Sequence, residues 1–147
     1  MRNSQEPIVV NLEPLDAPQK EVTKGEMTMG HVLIHNTHGK EDLERASLAF
    51  VAANTALVSG QQATVLLTIE EVRVATHGYA QGLQAEGFAP LSELLTQFVK
   101  GSGTIWVCGA CAKPRQITEA DLIPGAHIIG AATAIEALVS GAQSLTF

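Results

Sequence analysis

Apolar positions along this chain fall into two alternating rhythms. Val32, Leu33 and Ile34 form a short continuous apolar run ending at His35, and Asn36 to Lys40 read as a turn. Leu43, Ala46, Phe50, Ala53 and Leu57 then recur at helical spacing, with Asp42 and Glu44 suited to the positive N-terminal end and Gly60 to the stop. Ala63 to Ile69, with Val65, Leu66 and Leu67, reads as a second strand. Glu70 to Phe88 is polar and Gly-rich, open between a short helix and a functional loop. Leu91, Leu94, Leu95 and Phe98 mark a helix that starts at Pro90 and stops at Gly101. Thr104 to Val107 is a third strand and delivers Cys108. Thr118 to Asp121 has the spacing of a helix-start cap, Pro124-Gly125 signals a turn, and His127 to Ile129 is a fourth strand. A further helix is expected to bury Ala131, Ala134, Ile135, Leu138 and Ala142 and to expose Thr133, Glu136 and Ser140, ahead of a last strand over Gln143 to Phe147.

Apolar strands alternating with amphipathic helices predict an α/β fold, a parallel sheet covered on both faces. Successive parallel strands place every strand-to-helix junction at the carboxyl edge of the sheet, where ligands and chemistry concentrate. His35 to His38, Glu70 and Glu71, Cys108 to Cys111, and Gly130 are therefore expected at one edge.

Composition narrows the picture. Of 147 residues, 46% are hydrophobic and 16% charged, which supports a sizeable core and excludes global disorder. Aromatic residues are only 4%, beside 20 Ala and 13 Gly, so the core must be close-packed Ala, Val, Ile and Leu. A formal charge of -6 argues against a nucleic-acid partner, whose phosphates need clustered Lys and Arg. No uninterrupted apolar run reaches the roughly 18 residues of a membrane span, and the N-terminus lacks the apolar stretch of a secretory signal. The chain reads as cytoplasmic. Residues 1–30, punctuated by Pro7, Pro14 and Pro18 around the short run Ile8-Val9-Val10, are expected to form an extended or partly disordered N-terminal arm. Residues 31–147 are expected to form one domain.

Two cysteines are too few for a disulfide scaffold, and the spacing Cys108-x-x-Cys111 points to thiol or metal chemistry in a reducing compartment. Cys108 closes a strand, and Gly109-Ala110 can open a helix, so its thiol would meet free backbone N–H groups that favour the thiolate. Lys113 and Arg115 would push the same way. The plain alternative is an inert strand-end cysteine that packs like a small hydrophobe. A thioredoxin-like site is disfavoured because the motif comes after three strands. Structural zinc is short of ligands, since one Cys pair and His127 leave the tetrahedral set incomplete. Sulfur handling by a single nucleophilic cysteine remains.

Several residues carry a resemblance at this point. Val107-Cys108-Gly109-Ala110-Cys111-Ala112-Lys113, followed by Ile117-Thr118, Asp121-Leu122-Ile123, Gly125-Ala126 and Gly130-Ala131-Ala132, resembles the DsrE/DsrF-like family. The middle stretch His77-Gly78-Tyr79-Ala80 and the ending Leu145-Thr146-Phe147 are also similar to its members. The resemblance runs from about residue 30 to 147 and implies a flavodoxin-like, three-layer α/β/α fold with a mainly parallel five-stranded sheet. It implies homo-oligomers, trimers or hexamers, and roles in intracellular sulfur transfer with donor and acceptor proteins. In the sulfur-relay members the cysteine after the third strand carries a persulfide, the position that Cys108 holds here. Cys111 falls where those members need no cysteine and would serve as a resolving or second thiol.

The other polar candidates are weaker. His35 and His38 flank the end of the first strand and could help bind an anionic sulfur group or a metal, with a loop or cap role as the plainer reading without a third convergent ligand. His77 and Tyr79, in the Gly-rich stretch, could line a pocket with Lys113 and Arg115, or lie on a subunit contact. Glu70-Glu71 has the wrong charge for phosphate, and no GxGxxG or GxxxxGK[ST] is present, so no nucleotide, flavin or other cofactor is expected. No bound metal is expected either.

Overall fold

In a computed structural model that describes residues 29–147, five strands form a single all-parallel sheet. The arm expected over residues 1–30 lies, but for its last two residues, outside the described residues. Strands β1 (His31–Asn36), β2 (Gln62–Leu67), β3 (Thr104–Cys108), β4 (Ala126–Ile129) and β5 (Gln143–Thr146) stand in the order β4-β3-β2-β1-β5. Helices α1 (Leu43–Val58) and α2 (Leu91–Lys100) cross over from β1 to β2 and from β2 to β3. The short helix α3 (Gly109–Ala112) follows β3, and α4 (Ala131–Val139) leads into β5. The first three crossovers step along the sheet in one direction. The last, from β4 back to β5 beyond β1, runs in reverse, so a right-handed connection puts α4 on the opposite face.

The expected elements are present, and local chemistry explains their ends. Asp42 caps α1 by accepting the Arg45 N–H at 3.0 Å, and Gly60, at φ 80°, turns the chain out of it. Pro90 stands at the start of α2 and Gly101 at its end. Thr118 and Asp121 make the reciprocal bonds of a capping box on a 3-10 turn, Glu119–Asp121. The ambiguous stretch after β2 resolves into a 3-10 helix, Ile69–Ala75, followed by turns. One side of the sheet, through Ile34, Val65, Leu67, Ile105 and Val107, packs on α1 and α2. At its centre Phe50 and Phe98 meet edge to face, their centroids 5.9 Å apart.

The opposite face differs from the expectation. Ala134 and Ala142 are buried as expected, but Ile135 is 57% exposed and Leu138 39%, and Val139, beyond the expected stripe, is 83% exposed. Ala131 is exposed as well, and the helix ends at Val139. The physical reason lies in the sheet beneath. By strand alternation this face presents His31, Leu33, His35, Thr64, Leu66, Trp106 and Cys108, a mixed surface rather than a continuous apolar floor. The nine-residue α4 touches it through small residues and turns its larger side chains away.

Candidate functional site

Parallel pairing sends the ends of β1, β2, β3 and β4 to one edge, so the junctions after His35, Thr68, Cys108 and Ile129 do gather there. Cys108 is the last residue of β3 and the N-cap of α3. Gly109 lets α3 start close against β4, since a Cβ there would sit 3.1 Å from the Ile129 carbonyl oxygen. Cys108 and Cys111 are both free and half-buried. Burial pushes the Cys108 thiol above its ordinary range and the neighbouring Cys111 thiol adds to that rise, while the backbone N–H groups of Cys111 and Ala110 pull the other way. The expected N–H groups are there, but they do not outweigh burial, which corrects the expectation of a lowered thiol pKa. α3 is a four-residue turn, and the cations are engaged elsewhere or turned outward.

Arg115 donates from Nη1 to the Cys111 carbonyl at 2.9 Å and from Nε to Glu70 Oε2 at 2.8 Å. Glu70 also accepts from Arg73, and these two guanidinium groups, Arg115 first, hold its carboxyl below the usual range. Arg115 therefore clamps the thiol turn to the 3-10 helix after β2, while its charge is answered by Glu70. Lys113 is exposed and makes no ion pair among the described residues.

His35 lies on the same sheet face as Cys108, two strands away. Its Nε2 and Thr68 Oγ1 are 2.8 Å apart, and burial lowers its pKa, so at neutral pH the ring is uncharged. Four residues earlier in both strands, His31 Nε2 and Thr64 Oγ1 repeat the bond at 2.8 Å. The His31 ring packs edge-on against Trp106 of β3 at 6.4 Å. Sequence reasoning missed Thr68, although histidines at 31 and 35 facing threonines at 64 and 68 were a readable signal.

His38 and Tyr79 belong to a second group. The Tyr79 hydroxyl accepts the Lys40 backbone N–H at 3.2 Å, and the Lys40 ammonium stands 4.6 Å from the centre of its ring. His38 hydrogen-bonds the Thr37 hydroxyl through Nδ1 at 3.0 Å. Beneath this loop Glu71 is only 2% exposed, and burial, then Glu41 beside it, push its carboxyl up to about 8. Glu41 goes the other way: burial alone would raise it, but the N–H groups of Glu41 and Gly39 and the Glu71 carboxyl hold it below the usual range. Gly39 leaves no room for a side chain, because a Cβ there would overlap Glu71 and lie 2.7 Å from the Tyr79 hydroxyl. Asn36 Nδ2 and Glu71 Oε2 are buried without a protein partner.

His77 is in neither group. It is exposed and lines a polar cleft of about 340 Å3 with Arg73, Thr76, Gln116 and Asp121. A more apolar pocket of about 300 Å3 lies between Val74, Leu95, Val99 and Ile123, with Lys100 among its lining residues and neither cysteine in its wall. Among the described residues no three His, Cys, Asp or Glu side chains come together in a way that could hold a metal ion. His127 instead sits 4.0 Å from Glu119 on the surface.

A thiol pair at the carboxyl edge of an all-parallel α/β sheet defines the class, and comparison with known proteins gives the family. The model of the DsrE/DsrF-like family matches residues 30–147, and the chain belongs to that family. The chain is 28% identical over 116 residues to the uncharacterized protein MJ0760 of Methanocaldococcus jannaschii. That match takes in 78% of this chain but 42% of the relative, so the chain spans less than half of that protein's length. Among solved structures, the ychN protein of E. coli superposes with a TM-score of 0.61 at 16% identity, covering 82% of this chain and all of the other. MTH1491, a protein of unknown function from Methanobacterium thermoautotrophicum, gives 0.59 at 11% identity, covering 80% of this chain and 99% of the other. These likenesses show the α/β fold.

Proposed function

We propose that this protein accepts and passes sulfane sulfur on Cys108. The reading rests on one observation above the others: a free thiol in the last position of β3, at the edge where all the strand-to-helix junctions meet. Membership of a family associated with sulfur relay supports it. In the step itself the Cys108 thiolate attacks the outer sulfur of a donor persulfide. The donor S–S bond breaks with its electron pair on the leaving thiolate, and a Cys108 persulfide remains. An acceptor thiol removes the outer sulfur by the same exchange. Donor and acceptor would be proteins of the reducing cytoplasm.

Incubating the purified chain with polysulfide and weighing it intact tests the reading. The expected product is one sulfur atom heavier, and Cys108→Ser must not form it.

A second reading has its own support. Cys108 is the N-cap of α3 and Cys111 lies three residues on in the same turn, both free, so Cys111 would attack the inner sulfur of a Cys108 persulfide, expel hydrosulfide and leave a disulfide. That makes Cys111 a resolving thiol, and the pair a redox switch. Mild oxidation should then remove two hydrogens from the mass reversibly.

A homo-oligomer, trimer or hexamer, completes the proposal. Ile135, Val139 and Leu145 are more than half exposed on a small domain, the kind of apolar surface that copies of a chain cover.

A further inference from the structure

The N–H groups of Ala110 and Cys111 in its own turn favour the Cys108 thiolate, but not enough to offset burial. The thiol is half-buried, its pKa is raised, and of the two cations that follow it in sequence Arg115 is paired with Glu70 and Lys113 is exposed. A nucleophile in that state needs a group to take its proton.

The sheet supplies such a group on its less covered face. Leu66 pairs with Trp106 and Leu67 with Val107, so the next rung sets Thr68 beside Cys108 on adjacent strands. Thr68 is still extended, at φ -130° and ψ 164°, so the alternation carries both side chains to the face of Leu66 and Trp106. Adjacent strands are about 4.8 Å apart, within reach of a hydroxyl and a thiol once Cys108 rotates away from Cys111. On the far side of Thr68, its hydroxyl is already bonded to His35 Nε2 at 2.8 Å. The rung below shows the reach of this arrangement, since His31, bonded in the same way to Thr64, touches Trp106 two strands away. Directly after Thr68, Ile69 takes a left-handed conformation, φ 59°, which a β-branched residue rarely adopts. Strain of this kind collects where a turn must aim a particular side chain.

Resting on the reading of Cys108 as the sulfur-carrying thiol, we propose that Thr68 and His35 form its proton path. The Cys108 proton moves to the Thr68 oxygen while the Thr68 proton moves to Nε2 of His35. The thiolate so formed attacks the outer sulfur of the donor persulfide. The departing donor thiolate takes the proton of the Thr68 hydroxyl while the imidazolium returns its proton to the Thr68 oxygen, so no external oxidant or base is needed. In this scheme His35 acts through Thr68 as a positioning residue, and its neutral ring is the form required.

The test is the pH–rate profile of Cys108 alkylation by iodoacetamide in the full chain carrying Cys111→Ser, where a single thiol reports. Adding Thr68→Val or His35→Gln is expected to move the profile up by about one pH unit, which is roughly a tenfold loss of rate near neutral pH. Thr68→Ser, which keeps the hydroxyl, must restore it. In the chain without substitutions, alkylating Cys108 must also shift the His35 ring resonances in NMR spectra. Superimposable profiles, a Thr68→Ser that behaves like Thr68→Val, or unmoved His35 resonances overturn the proton path. Polysulfide loading separates the two ideas. Shifted profiles with no sulfur adduct leave the path standing and sink the carrier reading, whereas an adduct with unshifted profiles sinks the path alone.

Discussion

Glu71 keeps a proton at neutral pH that an exposed glutamate would have lost. It is buried under the β1–α1 loop and faces Glu41, so ionising it would set two carboxylates against each other away from water. The sign for stability follows directly. The folded-state pKa is about 8 against an ordinary 4.5, so between those values the folded chain holds a proton that the unfolded chain has released. Stability therefore falls as pH rises from 4.5 to 8 and levels off above. Glu71→Gln, which keeps the shape without the charge, is expected to be more stable than the parent at pH 8.5 and to lose that advantage near pH 4.5, as read by urea denaturation at both values. Gly39 sits on the same carboxyl, and Gly39→Ala is expected to cost about 1–3 kcal/mol because Glu71 and Tyr79 must move. Neither property was legible in sequence. In sequence Glu70-Glu71 is simply an acidic pair at a strand end, and only the fold turns one carboxyl outward to Arg115 and the other inward.

At the scale of elements, the strands and the two long helices could be read from period and punctuation. Their signals, the run around Leu33, the stripe from Leu43 to Leu57 and the Pro90 and Gly101 boundaries, depend on local chemistry that the fold does not override. The Phe50–Phe98 contact joins two of those stripes, and truncating Phe98 to Ala is expected to destabilise the domain by about 3–5 kcal/mol in a denaturant titration. α4 was misread because an amphipathic pattern tells which residues share a stripe, not what covers it. Of its residues only Ala134 is buried, and Ile135 and Val139 are exposed. If copies of the chain cover that stripe, Val139→Asp will shift sedimentation velocity toward a monomer while leaving the thermal midpoint of the dilute chain nearly unchanged. Unaltered sedimentation would place any contact between copies elsewhere.

Across the whole molecule, the all-parallel order β4-β3-β2-β1-β5 does the organising. It brings chain positions as distant as His35 and Cys108 to one edge, which could be foreseen from the succession of strands and helices alone. What the succession could not give is grouping within that edge. His38 belongs to the β1–α1 loop that rests on Tyr79 and Glu71, Arg115 stands with the thiol turn, and His77 lies in a separate cleft. Side-chain grouping depends on register and on which face each residue takes, and a single-residue slip would reverse it. Among the described residues no helix is long and apolar enough to cross a membrane. The central claim is that sulfur resides on Cys108, and intact mass spectrometry after polysulfide treatment tests it most directly. The native chain is expected to gain one sulfur atom, reversed by a thiol reductant and absent from Cys108→Ser. A native chain that stays at its original mass, or a Cys108→Ser variant that gains the sulfur equally well, would contradict it.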